Sequence, residues 1–176
     1  MGAIRIWQRW VAAAAIVGLL GCGERAPIGP VTESPSHDLV QSAPWLGLPT
    51  LLKCSPMPAA SETAEIGPDG GVLQVGPHRL TIPAGALDGT VVITAVAPSD
   101  TVNRVELGPE GLTFARSISL TLSYANCQGL GLAFPKQIAY TDGQLNILEL
   151  LPSLDNFFAR RVTGQVSHFS DYAIAW

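Results

Sequence analysis

The sequence predicts an all-β protein, an antiparallel β-sandwich behind an N-terminal export segment, and three observations lead there. From Ala59 onward, short alternating or β-branched runs follow one another, broken by Gly and Pro at regular intervals. No amphipathic stretch long enough for a helix interrupts them. The clearest run, Ser117 to Tyr124, sets Ile118, Leu120 and Leu122 against Ser117, Ser119, Thr121 and Ser123. That period of two belongs to a strand with one buried and one hydroxylated face. Many short strands with turns between them stack as two sheets, and roughly 115 residues suffice for one such core.

The chain divides into residues 1–21, 22–58 and 59–176. In the first segment, Met1 to Trp10 carries Arg5 and Arg9 and no acid, and Val11 to Leu20 is wholly apolar. A charged start and a short greasy middle make a secretory signal; the run is about half of the roughly 20 residues that a spanning helix needs. Leu19-Leu20-Gly21-Cys22 resembles the lipobox of bacterial lipoproteins. The resemblance implies cleavage before Cys22 and a lipid on its sulfur, joined as a thioether. Gly23, where Asp would hold a lipoprotein back, resembles the pattern sent on to an outer membrane. The expected location is therefore the cell envelope, lipid-anchored, with several acyl chains adding about 0.8 kcal/mol per buried methylene.

The 176 residues carry a formal charge of −4, and removal of residues 1–21 takes away two cations and no anion, leaving −6. A nucleic-acid partner would require the opposite sign and a basic patch. With Cys22 lipidated, two of the three cysteines remain, Cys54 and Cys127. Outside the cytoplasm they are expected to form a disulfide. They make no zinc cluster, and His37, His78 and His168 are scattered singly, so no metal or cofactor is expected.

From Gly23 to about Met57 come Pro27, Pro30, Pro35, Pro44, Pro49 and Pro56, the composition of an extended tether. Trp45-Leu46-Gly47-Leu48 and Leu51-Leu52 are greasier than a linker and are expected to lie against the following domain. Within 59–176, strands are predicted at 72–75, 79–82, 90–96, 104–107, 117–124, 137–141, 145–150, 158–167 and 171–176. Gly67-Pro68-Asp69-Gly70-Gly71 and Thr141-Asp142-Gly143-Gln144 have the chemistry of tight turns. Pro83-Ala84-Gly85-Ala86-Leu87 predicts one helical turn over Ile82 and Leu87. The glycine-rich loop lacks the Lys-Ser/Thr of a phosphate cradle.

Three stretches together resemble the ZU-five domain, the β-sandwich of zonula occludens proteins, netrin receptors and ankyrins, which also occurs in bacterial lipid-anchored proteins. They are Gly70-Gly71-Val72-Leu73 running on to Leu80-Thr81-Ile82-Pro83-Ala84-Gly85-Ala86-Leu87, then Leu107-Gly108-Pro109 with Gly111-Leu112-Thr113-Phe114, then Ser167-His168-Phe169-Ser170 with Tyr172-Ala173. The resemblance implies an interaction or structural module without turnover, binding an unknown protein or surface polymer.

Some ZU-five relatives cut themselves at His-Phe-Ser. By resemblance, Ser170 would attack the Phe169 carbonyl while His168 takes its proton, and water would open the resulting ester. In a regular strand His168 and Ser170 stand about 6.7 Å apart along the rise, too far for proton transfer without a kink at Phe169. The competing expectation makes Phe169 a core residue, His168 a partner for a nearby carbonyl or hydroxyl, and Tyr172, Ile174 and Trp176 the last strand. A third possibility, a carbohydrate-binding module, would have only Trp45 and Trp176 for a platform, since Trp7 and Trp10 belong to the signal.

Overall fold

The computed structural model describes residues 47–176, which form two antiparallel sheets packed as a sandwich. The signal segment, Cys22, His37 and Trp45 lie outside the described residues. The strands are β1 (Ala60–Ile66), β2 (Gly71–Val75), β3 (His78–Ile82), β4 (Val91–Ala97), β5 (Arg104–Gly108), β6 (Thr113–Ser123), β7 (Gln137–Thr141), β8 (Ile147–Leu151), β9 (Ser153–Asn156), β10 (Arg161–His168) and β11 (Asp171–Ala175). One sheet runs β1-β4-β5-β11-β7-β8, the other β2-β3-β6-β10-β9. The last strand of the chain thus lies inside a sheet, between β5 and β7, rather than at an edge.

Between the sheets lie the predicted inward residues. Ile118, Leu120 and Leu122 of β6 face Ile93, Val105, Ile138 and Ile174, all buried. Ser117, Ser119 and Thr121 turn outward as expected, while Ser123 is buried: its amide donates to His78 Nδ1 at 3.1 Å and its carbonyl accepts from Asn103 at 2.7 Å. Residues 51–54 bridge to the sandwich: Leu51 pairs with Ala175, Lys53 with Val102, Leu52 is buried, and Cys54 is disulfide-bonded to Cys127.

The structure departs from the sequence expectations at several places. Strand β1 was not predicted, because Ala-Ser-Glu-Thr-Ala-Glu-Ile has neither alternation nor β-branched weight; it exists as an edge strand laddered on β4, with its two glutamates exposed. Strand β9, Ser-Leu-Asp-Asn, is likewise poor in strand formers and owes its state to β10. Pro83 to Leu87 forms turns, not a helical turn: Gly85 sits at φ 74, which a right-handed helix excludes, and its N–H goes to the Pro68 carbonyl. Ile82 and Leu87 are nonetheless buried beneath it. Strand β8 starts at Ile147, after Leu145 takes φ 63, and β10 starts at Arg161, because Phe157 to Arg160 form the preceding hairpin turn. A short 3-10 helix, Leu130–Ala133, was also not anticipated.

Buried His78 resists protonation, and burial lowers its pKa to about 4. Its neutral ring accepts the Ser123 amide, so its contribution is complete above the unfolded value of 6.5 and is lost as pH falls from 6.5 toward 4. The expected loss over that window is about 3 kcal/mol, visible as a falling urea midpoint. The variant His78→Gln should be less stable at pH 7 but show a flatter slope between these pH values; an unchanged slope would rule out this origin.

Candidate functional site

The stretch His168-Phe169-Ser170, which carries the alternative self-cleavage reading, is the crossing from one sheet to the other. Strand β10 ends at His168 in the five-stranded sheet, β11 begins at Asp171 in the six-stranded sheet, and a bulge between Val166 and His168 bends the chain on its way. His168 is thus the last residue of β10, beyond the bulge, while Phe169 and Ser170 lie between strands, so the alternating face of one regular strand does not apply.

Phe169 is fully buried, as expected of a core residue. Its N–H donates to the Leu112 carbonyl at 2.8 Å and its carbonyl accepts from the Gly111 N–H at 3.0 Å. Gly111 sits at φ 76, the left-handed region that glycine enters freely, and closes the turn begun by a cis Gly108-Pro109 bond. The Phe169 ring meets Phe114 edge-on at 4.9 Å.

His168 makes aromatic contacts instead of the expected hydrogen bond: its ring stands edge-on to Tyr140 at 5.2 Å and tilted against Tyr172 at 6.2 Å. The Tyr172 hydroxyl donates to the His168 backbone carbonyl at 2.8 Å and ties the start of β11 to the end of β10. Burial raises the Tyr172 pKa, keeping that hydroxyl a donor. Ser170 is buried, its carbonyl accepting from the Leu107 N–H at 3.1 Å. No hydrogen bond joins the His168 and Ser170 side chains among the described residues.

The three motif stretches are linked in a chain through β6 and the β5–β6 turn. Ala115 N–H donates to the Ala86 carbonyl at 3.1 Å and Arg116 to the Ala84 carbonyl at 2.9 Å, so the Pro83 to Leu87 turns lie against β6. The β5–β6 turn in turn clasps Phe169.

Beside the crossing is an open depression of about 270 Å³ lined by Thr94, Val96, Glu106, Glu110, Ser170 and Asp171 among others. Asp171 and Glu106 face each other directly across β11 and β5. Arg104 binds Glu106 at 2.8 Å and approaches Asp100 at 3.4 Å, while Asp171 has no ion pair among the described residues. Partial burial, then the Glu106 charge, raises the Asp171 pKa. Such a depression favours a proton or a positive group. Among the described residues, no three of His, Cys, Asp and Glu are grouped to hold a metal ion. This carboxylate pair had no signal in the sequence, because the β5–β11 register joins residues far apart in the chain.

Compared with the models of known protein families, and with curated proteins, the chain matches none.

Opposed carboxylates oppose folding. Because the folded pKa of Asp171 is raised, the native protein loses stability as pH rises above the ordinary 3.8 through that folded value. Asp171→Asn should therefore raise the thermal midpoint at pH 7 by a few degrees, with the gain vanishing below pH 3.8. A lowered midpoint at pH 7 would show that the carboxylate is structurally needed.

Proposed function

We propose that the protein is a lipid-anchored protein of the cell envelope, held in the outer membrane through Cys22, that displays a non-catalytic β-sandwich as a binding module for another protein or a surface polymer. One observation carries the reading. Of three cysteines, Cys54 and Cys127 are joined to each other, which leaves Cys22, in its lipobox-like setting, as the odd thiol. A disulfide that closes a long loop within the domain suits an oxidising compartment. The ZU-five resemblance supports an interaction module, since the three stretches that carry it are neighbours in space.

The outer face of the five-stranded sheet is the surface we assign to such binding. It presents Ser117, Ser119, Thr121 and Thr163 with Arg79 and Arg161, and Thr121 and Thr163 share a hydrogen bond of 2.8 Å. The one acid in those five strands, Asp155, pairs in register with buried Val162 and so turns inward. Hydroxyls and two cations without an anion fit an anionic or hydroxylated polymer or a protein surface of that character.

A second reading, cleavage between Phe169 and Ser170, has one observation in its favour: the Gly111 N–H already holds the carbonyl where negative charge would develop. Against it stands the His168 ring, turned to Tyr140 rather than to Ser170.

An intact mass spectrum of the detergent-extracted protein tests both readings. The expected species starts at an acylated Cys22 and runs to Trp176, and Cys22→Ala should leave the membrane fraction. A water-soluble, unacylated mature chain would contradict the anchor. A product ending at Phe169, abolished in Ser170→Ala, would establish the cleavage.

A further inference from the structure

The β9–β10 hairpin ends in an unusual turn. Hairpin tips favour Gly, Asn and Asp, yet this one carries Phe157, 58 % exposed, and Phe158, 98 % exposed, with Leu154 at 80 % two residues into β9. The two rings touch each other edge-on at 6.1 Å. The tip is a held structure. Asn156 Oδ1 accepts from the Ala159 N–H at 3.0 Å and the Phe157 carbonyl from the Arg160 N–H at 3.2 Å. Arg160, at φ 52, accepts the Tyr124 N–H at 2.8 Å and donates its guanidinium to the Cys127 carbonyl at 3.0 Å. These bonds hold the turn with both rings exposed.

That tip lies at the end of the sandwich where the N-terminal segment joins it. Arg160 is bonded to Cys127, Cys127 is bonded to Cys54, and Cys54 directly follows the bridged residues Leu51 and Lys53. Two more exposed apolar side chains belong to the same end: Leu48, just before Leu51, and Phe134, stacked on Trp176 at 5.1 Å. The charges there are unequal. Asp155 is taken by the Tyr124 hydroxyl at 2.6 Å and the Lys136 N–H at 3.0 Å, and Asp100 lies against Arg104. Lys53 and Arg161 are exposed and, among the described residues, have no ion pair.

We propose that this hairpin tip is a membrane-contact site, with Phe157 and Phe158 seated in the interfacial layer of the bilayer and Lys53 and Arg161 facing anionic headgroups. The proposal rests on the lipid-anchored reading, which puts that end of the domain within reach of a bilayer. Aromatic rings with a cationic rim match an interface that is apolar below and anionic above. The sandwich then lies on the bilayer tip-down, with its Phe169 end pointing away.

The test uses the full chain carrying Phe158→Trp, in vesicles of phosphatidylethanolamine and phosphatidylglycerol with brominated acyl chains. The signal is the tryptophan emission gained over the unsubstituted chain. Because Phe158 is 98 % exposed, the substitution leaves the fold intact. The expected result is blue-shifted added emission that bromine quenches, with quenching lessened when phosphatidylcholine replaces phosphatidylglycerol or when Arg161→Glu is added. Water-like, unquenched emission overturns the proposal. So does emission that stays unquenched on vesicles and shifts only when envelope proteins are added, which assigns the tip to a protein partner. The acyl mass on Cys22, read on the same sample, separates the two layers. An acylated chain with an unquenched tip overturns the contact alone, and an unacylated chain with a quenched tip overturns the anchor and leaves the contact standing.

Discussion

The fold turns on the burial of Phe169 where the chain passes from one sheet to the other. At that point both backbone groups leave regular ladders, and an unpaired buried amide or carbonyl would be costly. Leu112 and Gly111 supply the missing partners, while Phe114 closes over the ring. Truncating such a ring costs about 3–5 kcal/mol, so the crossing is a major structural joint. It also determines where β11 goes: once through it, the last strand can slot between β5 and β7 and complete the six-stranded sheet. His168 and Ser170 flank the joint, and their environments follow from it.

The sandwich has two unlike ends. The Phe169 end gathers the clasping turns and the carboxylates of Glu106, Glu110 and Asp171. The opposite end gathers the disulfide, the chain joining from the N-terminal side, the exposed aromatic tip and the exposed cations Lys53 and Arg161. Polarity of this kind comes from topology: hairpins and crossings sort short loops to either end, and their side chains then face different surroundings.

Much of the architecture was legible in the sequence because it was written in local period and turn chemistry. The β6 alternation of Ile118, Leu120 and Leu122 with Ser117, Ser119 and Thr121 held in the structure, with only Ser123 buried, and the spacing of strands elsewhere held within a few residues. What was not legible depended on partners distant in the chain. Strands β1 and β9 are strands because β4 and β10 pair with them, not because Glu62, Glu65 or Asn156 favour extended backbone. Gly85 gave no sign that it would take a positive φ and turn the Pro83 segment away from a helix. The facing of Asp171 with Glu106 needed the β5–β11 register, and the exposure of Phe158 needed the position of the hairpin turn. At His168, residue types alone suggested a hydrogen-bonding ring; the presence of Tyr140 and Tyr172 made it a packing ring.

Native-state hydrogen exchange at the Phe169 and Gly111 amides tests the central claim most directly. If the crossing is a joint on which both sheets depend, these two amides exchange only when the whole domain unfolds, with protection equal to its global stability. Exchange through a local opening at a small fraction of that free energy, as an ordinary surface turn shows, would contradict the account.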